Sequence, residues 1–320
     1  MRYPDIEPHA NGRIDVGDGQ MLSWEACGNP DGRPAVVLHG GPGSGRGTRS
    51  RRYFDPAAYR IIRFDQRGCG ASTPSVADFE TDLSTNTTWH LLGDLETLRV
   101  HLGIDRWLVF GASWGSTLAL LYAEQFPLHV RALVLVGVTT TRQSEIDWLY
   151  RGLAPMLPAQ WEAFRQGVPA AAREGDLVAA YRELLNSPDP AIRAAAARDW
   201  HAWDTASSSA LPSGPSAPAD PRMVLARARI VTHYFHYRAW LEDGVILANA
   251  GRLSGIPGVM IQGSLDLQAP LVTAWELSNV WTDGELVIVP NSGHSTEDTG
   301  MTDAIVAATD RFARLPDAGR

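Results

Sequence analysis

The chain has 320 residues, 44% of them hydrophobic, and a formal net charge of −8, which fits a globular protein with a large core and room for one α/β domain plus an insertion. This charge argues against a nucleic-acid partner, which needs clustered basic residues, and no apolar run approaches the ~18 residues of a membrane span. All 28 basic residues are arginine, which excludes a Schiff-base lysine and a lysine-bearing phosphate loop.

The opening Met1-Arg2-Tyr3-Pro4-Asp5 carries no apolar signal-peptide core, so a cytoplasmic location is expected. Residues 12–16 and 21–26 alternate around Gly17-Asp18-Gly19 and are expected to form a hairpin. Cys27 and Cys69 cannot build a disulfide framework or a metal site. Both are expected to be packing residues, with Cys69 partly exposed in its glycine-flanked loop. No metal or cofactor is expected.

Short apolar runs at 35–39 and 60–65 each end in a glycine loop and suggest strands. Leu91, Leu95, Leu98 and Leu102 recur at helical spacing after Asn86-Thr87-Thr88, with Gly103 as the stop. A further strand at 107–110 leads into Gly111-Ala112-Ser113-Trp114-Gly115 and a helix-compatible run, 116–125. Strand, sharp turn and helix are the setting that a G-x-S-x-G nucleophile elbow requires. Small residues on either side of the serine let strand and helix approach closely enough to present its Oγ.

After the strand at 132–136 the alternation stops. Residues 139–250 are helical in pattern and rich in tryptophan, and 207–221 is a Ser, Pro, Ala and Gly-rich stretch expected to be a loop. Strands resume at 259–263 and 285–289. The fold class is therefore α/β, a mostly parallel sheet flanked by helices with an inserted helical cap. Residues 1–138 and 252–320 are expected to form the core, and 139–251 the cap.

A serine nucleophile needs a base, and the base an orienting acid. In an elbow of this type the chain order is serine, acid, histidine. His294 follows the last strand, and Asp266 follows the strand before it, so both fall beyond strand carboxyl ends, where sheet proteins gather their reactive groups. Asp243, Asp283 and Asp298 lack such an anchor. His129, His201, His233 and His236 fall on helical segments, and the last two could line a pocket. Ser113, Asp266 and His294 are the expected triad. The oxyanion hole is expected from the backbone N–H of Trp114 and of Gly41, in His39-Gly40-Gly41-Pro42-Gly43. His39 is expected to pin that loop, and Asp65-Gln66-Arg67-Gly68-Cys69-Gly70 to brace it.

His39 to Gly43 and Asp65 to Gly70, combined with Ser113-Trp114-Gly115-Ser116, Gly255-Ile256-Pro257-Gly258 and Gly293-His294-Ser295, resemble the proline iminopeptidases (prolyl aminopeptidases) of the α/β-hydrolase superfamily. The similarity runs over nearly the whole chain. It implies a metal-free serine hydrolase that releases an N-terminal proline, or another small residue, from small peptides through an acyl-enzyme. It also implies a substrate pocket in which cap carboxylates hold the free amine. Trp200-His201-Ala202-Trp203-Asp204 stands where the family has Trp-x-x-Trp-Glu, so Asp204 keeps one carboxylate. Val231 stands where the second is expected, Thr139 replaces an aromatic and Ala269 a cysteine, while Tyr150 is retained. Phe235 completes the implied substrate-binding set. An esterase or amidase acting on a substrate without a free amine is the alternative that Val231 suggests. A non-catalytic binding protein is a third reading, against which the complete triad argues. Dehalogenases and epoxide hydrolases of this fold need a carboxylate nucleophile, which Ser113 is not.

Overall fold

The computed structural model describes residues 2–208 and 219–315. Eight strands form one sheet: β1 (Pro8–Asp15), β2 (Met21–Gly28), β3 (Arg33–Leu38), β4 (Tyr59–Phe64), β5 (Trp107–Ala112), β6 (Val130–Val136), β7 (Gly258–Gly263) and β8 (Gly284–Val289). Their order is β1-β2-β4-β3-β5-β6-β7-β8. β1 pairs antiparallel with β2, and β2 with β4; every other pairing is parallel.

The central strands are buried on both faces, so they read as continuous apolar runs. Val36, Leu38, Ile62, Val109, Leu133 and Met260 pack on one face with α1 (Thr88–His101), α2 (Trp114–Gln125) and α9 (Leu271–Val280). Ala35, Val37, Ile61, Phe110, Val134 and Ile261 pack on the other with α10 (Met301–Ala313), whose Met301, Ile305, Ala308 and Phe312 form one stripe at helical spacing. α2 is buried from Trp114 through Glu124, so the helix that carries the elbow is enclosed on all sides.

Between β6 and β7 the chain runs through α3 (Gln143–Asp147), α4 (Pro158–Gln166), α5 (Leu177–Leu185), α6 (Pro190–Ser208), α7 (Pro221–His236) and α8 (Val245–Asn249). The expected loop at 207–221 lies largely outside the described residues. At its edges Ser207 and Ser208 close α6, and Pro221 opens α7 with Asp220 as its cap. Trp161, Trp200 and Trp203 share an aromatic cluster in which Phe164 stacks on Tyr181 at 4.5 Å and on Trp203 at 5.4 Å and Tyr150 lies 4.8 Å from Trp200, whereas Trp240 packs on Tyr234 at the main core. α7 ties the aromatic cluster to the sheet. Its Ile230 and Tyr234 belong to the main core while Ala228 and Val231 face the aromatic cluster. Arg229 Nη1 donates to the carbonyls of Val76 (2.6 Å) and Asp78 (2.9 Å), and Tyr234 donates to Asn86 Oδ1 at 2.7 Å.

Cys69 differs from expectation. It is only 2% exposed, and burial pushes its thiol pKa well above the usual value. The loop folds inward because Asp65 accepts the N–H groups of Arg46 (2.7 Å) and Ala71 (2.9 Å), which draws Cys69 beneath it. No helix among the described residues is long and apolar enough to cross a membrane.

Candidate active site

Ser113 sits between β5 and α2 with φ 54° and ψ −125°, a backbone state that side-chain-bearing residues seldom hold without a surrounding that enforces it. The glycines on either side are that surrounding. A Cβ on Gly111 would lie 2.2 Å from the carbonyl oxygen of Gly115, and one on Gly115 would lie 2.2 Å from that of Leu38. Helix and strand therefore cross at a separation only glycine permits. Backbone bonds from Ser113 N to Val136 O (2.8 Å) and from Ser116 N to Ser113 O (2.7 Å) clamp the turn.

His294 and Asp266 come from the loops after β8 and β7. His294 Nδ1 faces both carboxylate oxygens of Asp266, at 2.9 and 2.8 Å. An ionised carboxylate only accepts, so Nδ1 carries the proton and Nε2 is left as the basic nitrogen. Burial by itself lowers the imidazole pKa; the charge and hydrogen bond of Asp266 outweigh it, with Asp204 adding and Arg227 subtracting, and the net shift is upward. The loop is held by Asp298, a rival acid in sequence, whose Oδ2 accepts Gly293 N–H at 2.6 Å.

Asp266 is itself held from three directions. Oδ1 accepts the N–H groups of Gln268 (3.0 Å) and Ala269 (2.9 Å), and Oδ2 accepts Gln262 Nε2 at 3.0 Å. Gln262 is fully buried on β7; it also donates to Ala269 O at 2.6 Å and accepts Val138 N–H at 2.8 Å. Sequence reasoning missed it, although a glutamine inside the apolar run Val259-Met260-Ile261 is a visible irregularity. Gln262→Leu is expected to destabilise the fold by about 1–3 kcal/mol through unpaired buried groups. It should also lower kcat on the order of tenfold with little change in KM, because a loosened acid misaims the imidazole rather than the substrate. Urea unfolding and steady-state kinetics check the two parts separately.

Ser113 and His294 line one cavity of about 510 Å³, together with Gly41, Trp114, Thr139, Tyr150, Asp204, Val231, Phe235 and Ala269. Asp266 stands behind His294. Gly41 has φ +119°, and Trp114 is the first residue of α2, whose free N–H groups and dipole favour a developing negative charge. The Trp114 indole is turned away, donating to Gln66 Oε1 at 3.1 Å. Gln66 in turn donates to His39 O at 3.0 Å, and its backbone N–H is accepted by His39 Nε2 at 3.1 Å. Nδ1–H of His39 bonds Gly40 O at 3.0 Å, and burial lowers its pKa, so His39 is a neutral brace behind the glycine loop. His233 and His236 line other cavities, and burial takes His233 down to about 4.

The cavity also contains charged residues that the sequence reading did not single out. Glu145 and Arg227 both line it. Arg227 Nη2 lies 2.7 Å from Asp204 Oδ2, so this carboxylate is paired within the protein. A signal for Arg227 was present: it precedes Val231 by one helical turn and shares its face. Among the described residues no group of three or more His, Cys, Asp or Glu could hold a metal ion.

A mostly parallel sheet, a serine on a strained strand-to-helix turn and an acid-held histidine at neighbouring strand ends together define an α/β hydrolase. Residues 34–299 match the family described as alpha/beta hydrolase fold. Among its relatives is the "probable proline iminopeptidase" of Streptomyces coelicolor, 51% identical, with 98% of each chain covered. The proline iminopeptidase of Xanthomonas citri is 44% identical over 97% of this chain and 99% of that one, and that of Neisseria gonorrhoeae is 40% identical over 96% and 97%. The chain belongs to the proline iminopeptidase family and is a hydrolase of that group. Solved structures share the fold at lower identity. They include the proline iminopeptidase of Mycobacterium smegmatis (TM-score 0.61, 19% identity, 95% of this chain and 99% of that one) and VinJ (TM-score 0.65, 20% identity, 97% and 100%).

Proposed function

We propose that this chain is a serine aminopeptidase-type hydrolase that releases an N-terminal proline or another small residue from small peptides through Ser113, His294 and Asp266. Residues 139–251 act as a cap over a core formed by 1–138 and 252–320. The observation that carries this reading is the shared cavity: a strained Ser113 and an imidazole held at Nδ1 by Asp266 line the same wall. Ser113 Oγ adds to the substrate carbonyl carbon as its proton passes to His294 Nε2. The oxyanion forms at the N–H groups of Gly41 and Trp114. His294 then gives the proton to the leaving nitrogen, the C–N bond breaks, and water repeats the sequence on the acyl-enzyme.

A second reading, an esterase or amidase acting on acyl groups without a free amine, draws support from Val231 in the pocket and from the Arg227 partner of Asp204. Parallel assay of prolyl, alanyl and simple acyl arylamides and esters separates the two. Exclusive turnover of esters would remove the aminopeptidase reading.

The pH dependence follows from the geometry. His294 must be neutral to accept a proton, and its pKa is raised. The acid limb of kcat/KM is therefore expected to have its midpoint above the ordinary histidine value of about 6.5, with activity lost as pH falls through it. A midpoint well below that value would show that His294 is not the base.

A further inference from the structure

Two carboxylates lie in the wall of the cavity, and neither is open to a new partner in the way an ammonium would need. Glu145 accepts five hydrogen bonds: from Thr139 Oγ1, Thr140 N, Thr140 Oγ1, Arg142 N and Thr273 Oγ1, at 2.6 to 3.1 Å. A carboxylate has about four lone-pair sites, so this one is saturated. Asp204 on α6 meets Arg227 on α7 at 2.7 Å, and its Oδ1 takes Gln268 Nε2 at 3.3 Å. The pair is partly shielded, with side-chain exposures of 20% for Asp204 and 35% for Arg227. It also lies within electrostatic reach of the base, since Asp204 and Arg227 act on His294 in opposite directions. One turn along α7 the same face presents Val231, which offers no counter-charge.

We infer that Arg227 is a specificity-determining residue: it takes up the charge of Asp204, weakens the pocket's hold on an α-ammonium and so lets acyl groups with an uncharged α-position compete with prolyl ones. An incoming ammonium must either displace the guanidinium from Asp204 or sit beside a like charge, and both weaken its binding. An uncharged acyl group meets neither obstacle and keeps the ion pair intact. This deepens the reading of Ser113 as the nucleophile of the cavity and rests on it.

The test uses two phosphonate diphenyl esters of matched shape, one with a pyrrolidine ring and one with a cyclopentyl ring. Each is attacked at phosphorus by Ser113 Oγ with loss of phenoxide, and the rate of labelling is read by mass spectrometry. In the unaltered chain the pyrrolidine probe is expected to label Ser113 with little advantage over the cyclopentyl probe. Arg227→Gln, which removes the charge, is expected to raise the pyrrolidine-to-cyclopentyl rate ratio about tenfold, the scale of one strong charge contact. Arg227→Lys, which keeps the charge, should leave the ratio near its original value. Asp204→Asn added to Arg227→Gln should cancel the gain. A ratio that is unchanged or falls in Arg227→Gln, with Ser113 still labelled, overturns the role of Arg227. Absence of labelling by either probe, in a chain that melts normally, overturns Ser113 as nucleophile instead.

Discussion

Ser113→Ala is expected to reduce kcat by about 10⁶-fold on whichever acyl substrate the enzyme turns over best, the scale seen when a hydrolase of this type loses its nucleophile. What remains comes from substrate binding and from the oxyanion donors alone. The fold should survive, because the elbow is held by backbone bonds at Ser113 N and O and by the glycine contacts of Gly111 and Gly115, none of which involves the serine hydroxyl. Serine and alanine each carry a Cβ at φ 54°, so the backbone strain is common to both. Thermal melting followed by circular dichroism should therefore coincide for the two proteins within a few degrees, while the activity differs by orders of magnitude. Retention of full activity in Ser113→Ala would end the assignment.

Asp266→Asn is expected to lower kcat by about 10⁴-fold with the geometry preserved, because it reverses the proton on the imidazole. Oδ1 of Asp266 accepts two backbone N–H groups, from Gln268 and Ala269, so an asparagine keeps its oxygen there and places its amide nitrogen where Oδ2 stood. That nitrogen is a donor. It faces His294 Nδ1 and forces it to accept, which puts the proton on Nε2, the atom that must take one from Ser113. It also faces Gln262 Nε2, another donor, and Gln262 cannot simply flip because its Oε1 accepts Val138 N–H. The loss should be largest in kcat, since the substrate does not touch residue 266, and activity should recover in part at alkaline pH. Equal loss in Asp266→Asn and Asp298→Asn would point to loop integrity rather than tautomer control.

Much of this architecture was legible in the chain because its signals are local. The elbow is a run of five residues, and its Gly111 answers to a contact with Gly115 inside the same strand-turn-helix unit. The strands were legible because a parallel sheet covered on both faces demands short, continuous apolar runs. His294 and Asp266 could be read because each follows such a run, and a strand's carboxyl end fixes where the next loop emerges. Thr139, Tyr150, Asp204, Val231, Phe235 and Ala269, brought forward by resemblance, line the cavity of Ser113.

Other features were settled only when distant segments packed together. Cys69 is covered because Asp65 gathers its own loop with that of Arg46. Gln262 is a polar residue in a strand until the loop of Asp266 folds back over it. Glu145 draws its hydrogen bonds from its own turn and from Thr273 on α9, a partner no local pattern announces. The charge state of the pocket is the clearest instance. Asp204 ends up paired with Arg227 because α6 and α7 pack together there, and the Coulomb attraction between such groups depends on a separation that sequence distance does not encode. Local chemistry therefore marked the residues proposed to react, and tertiary packing decided the electrostatic setting around them.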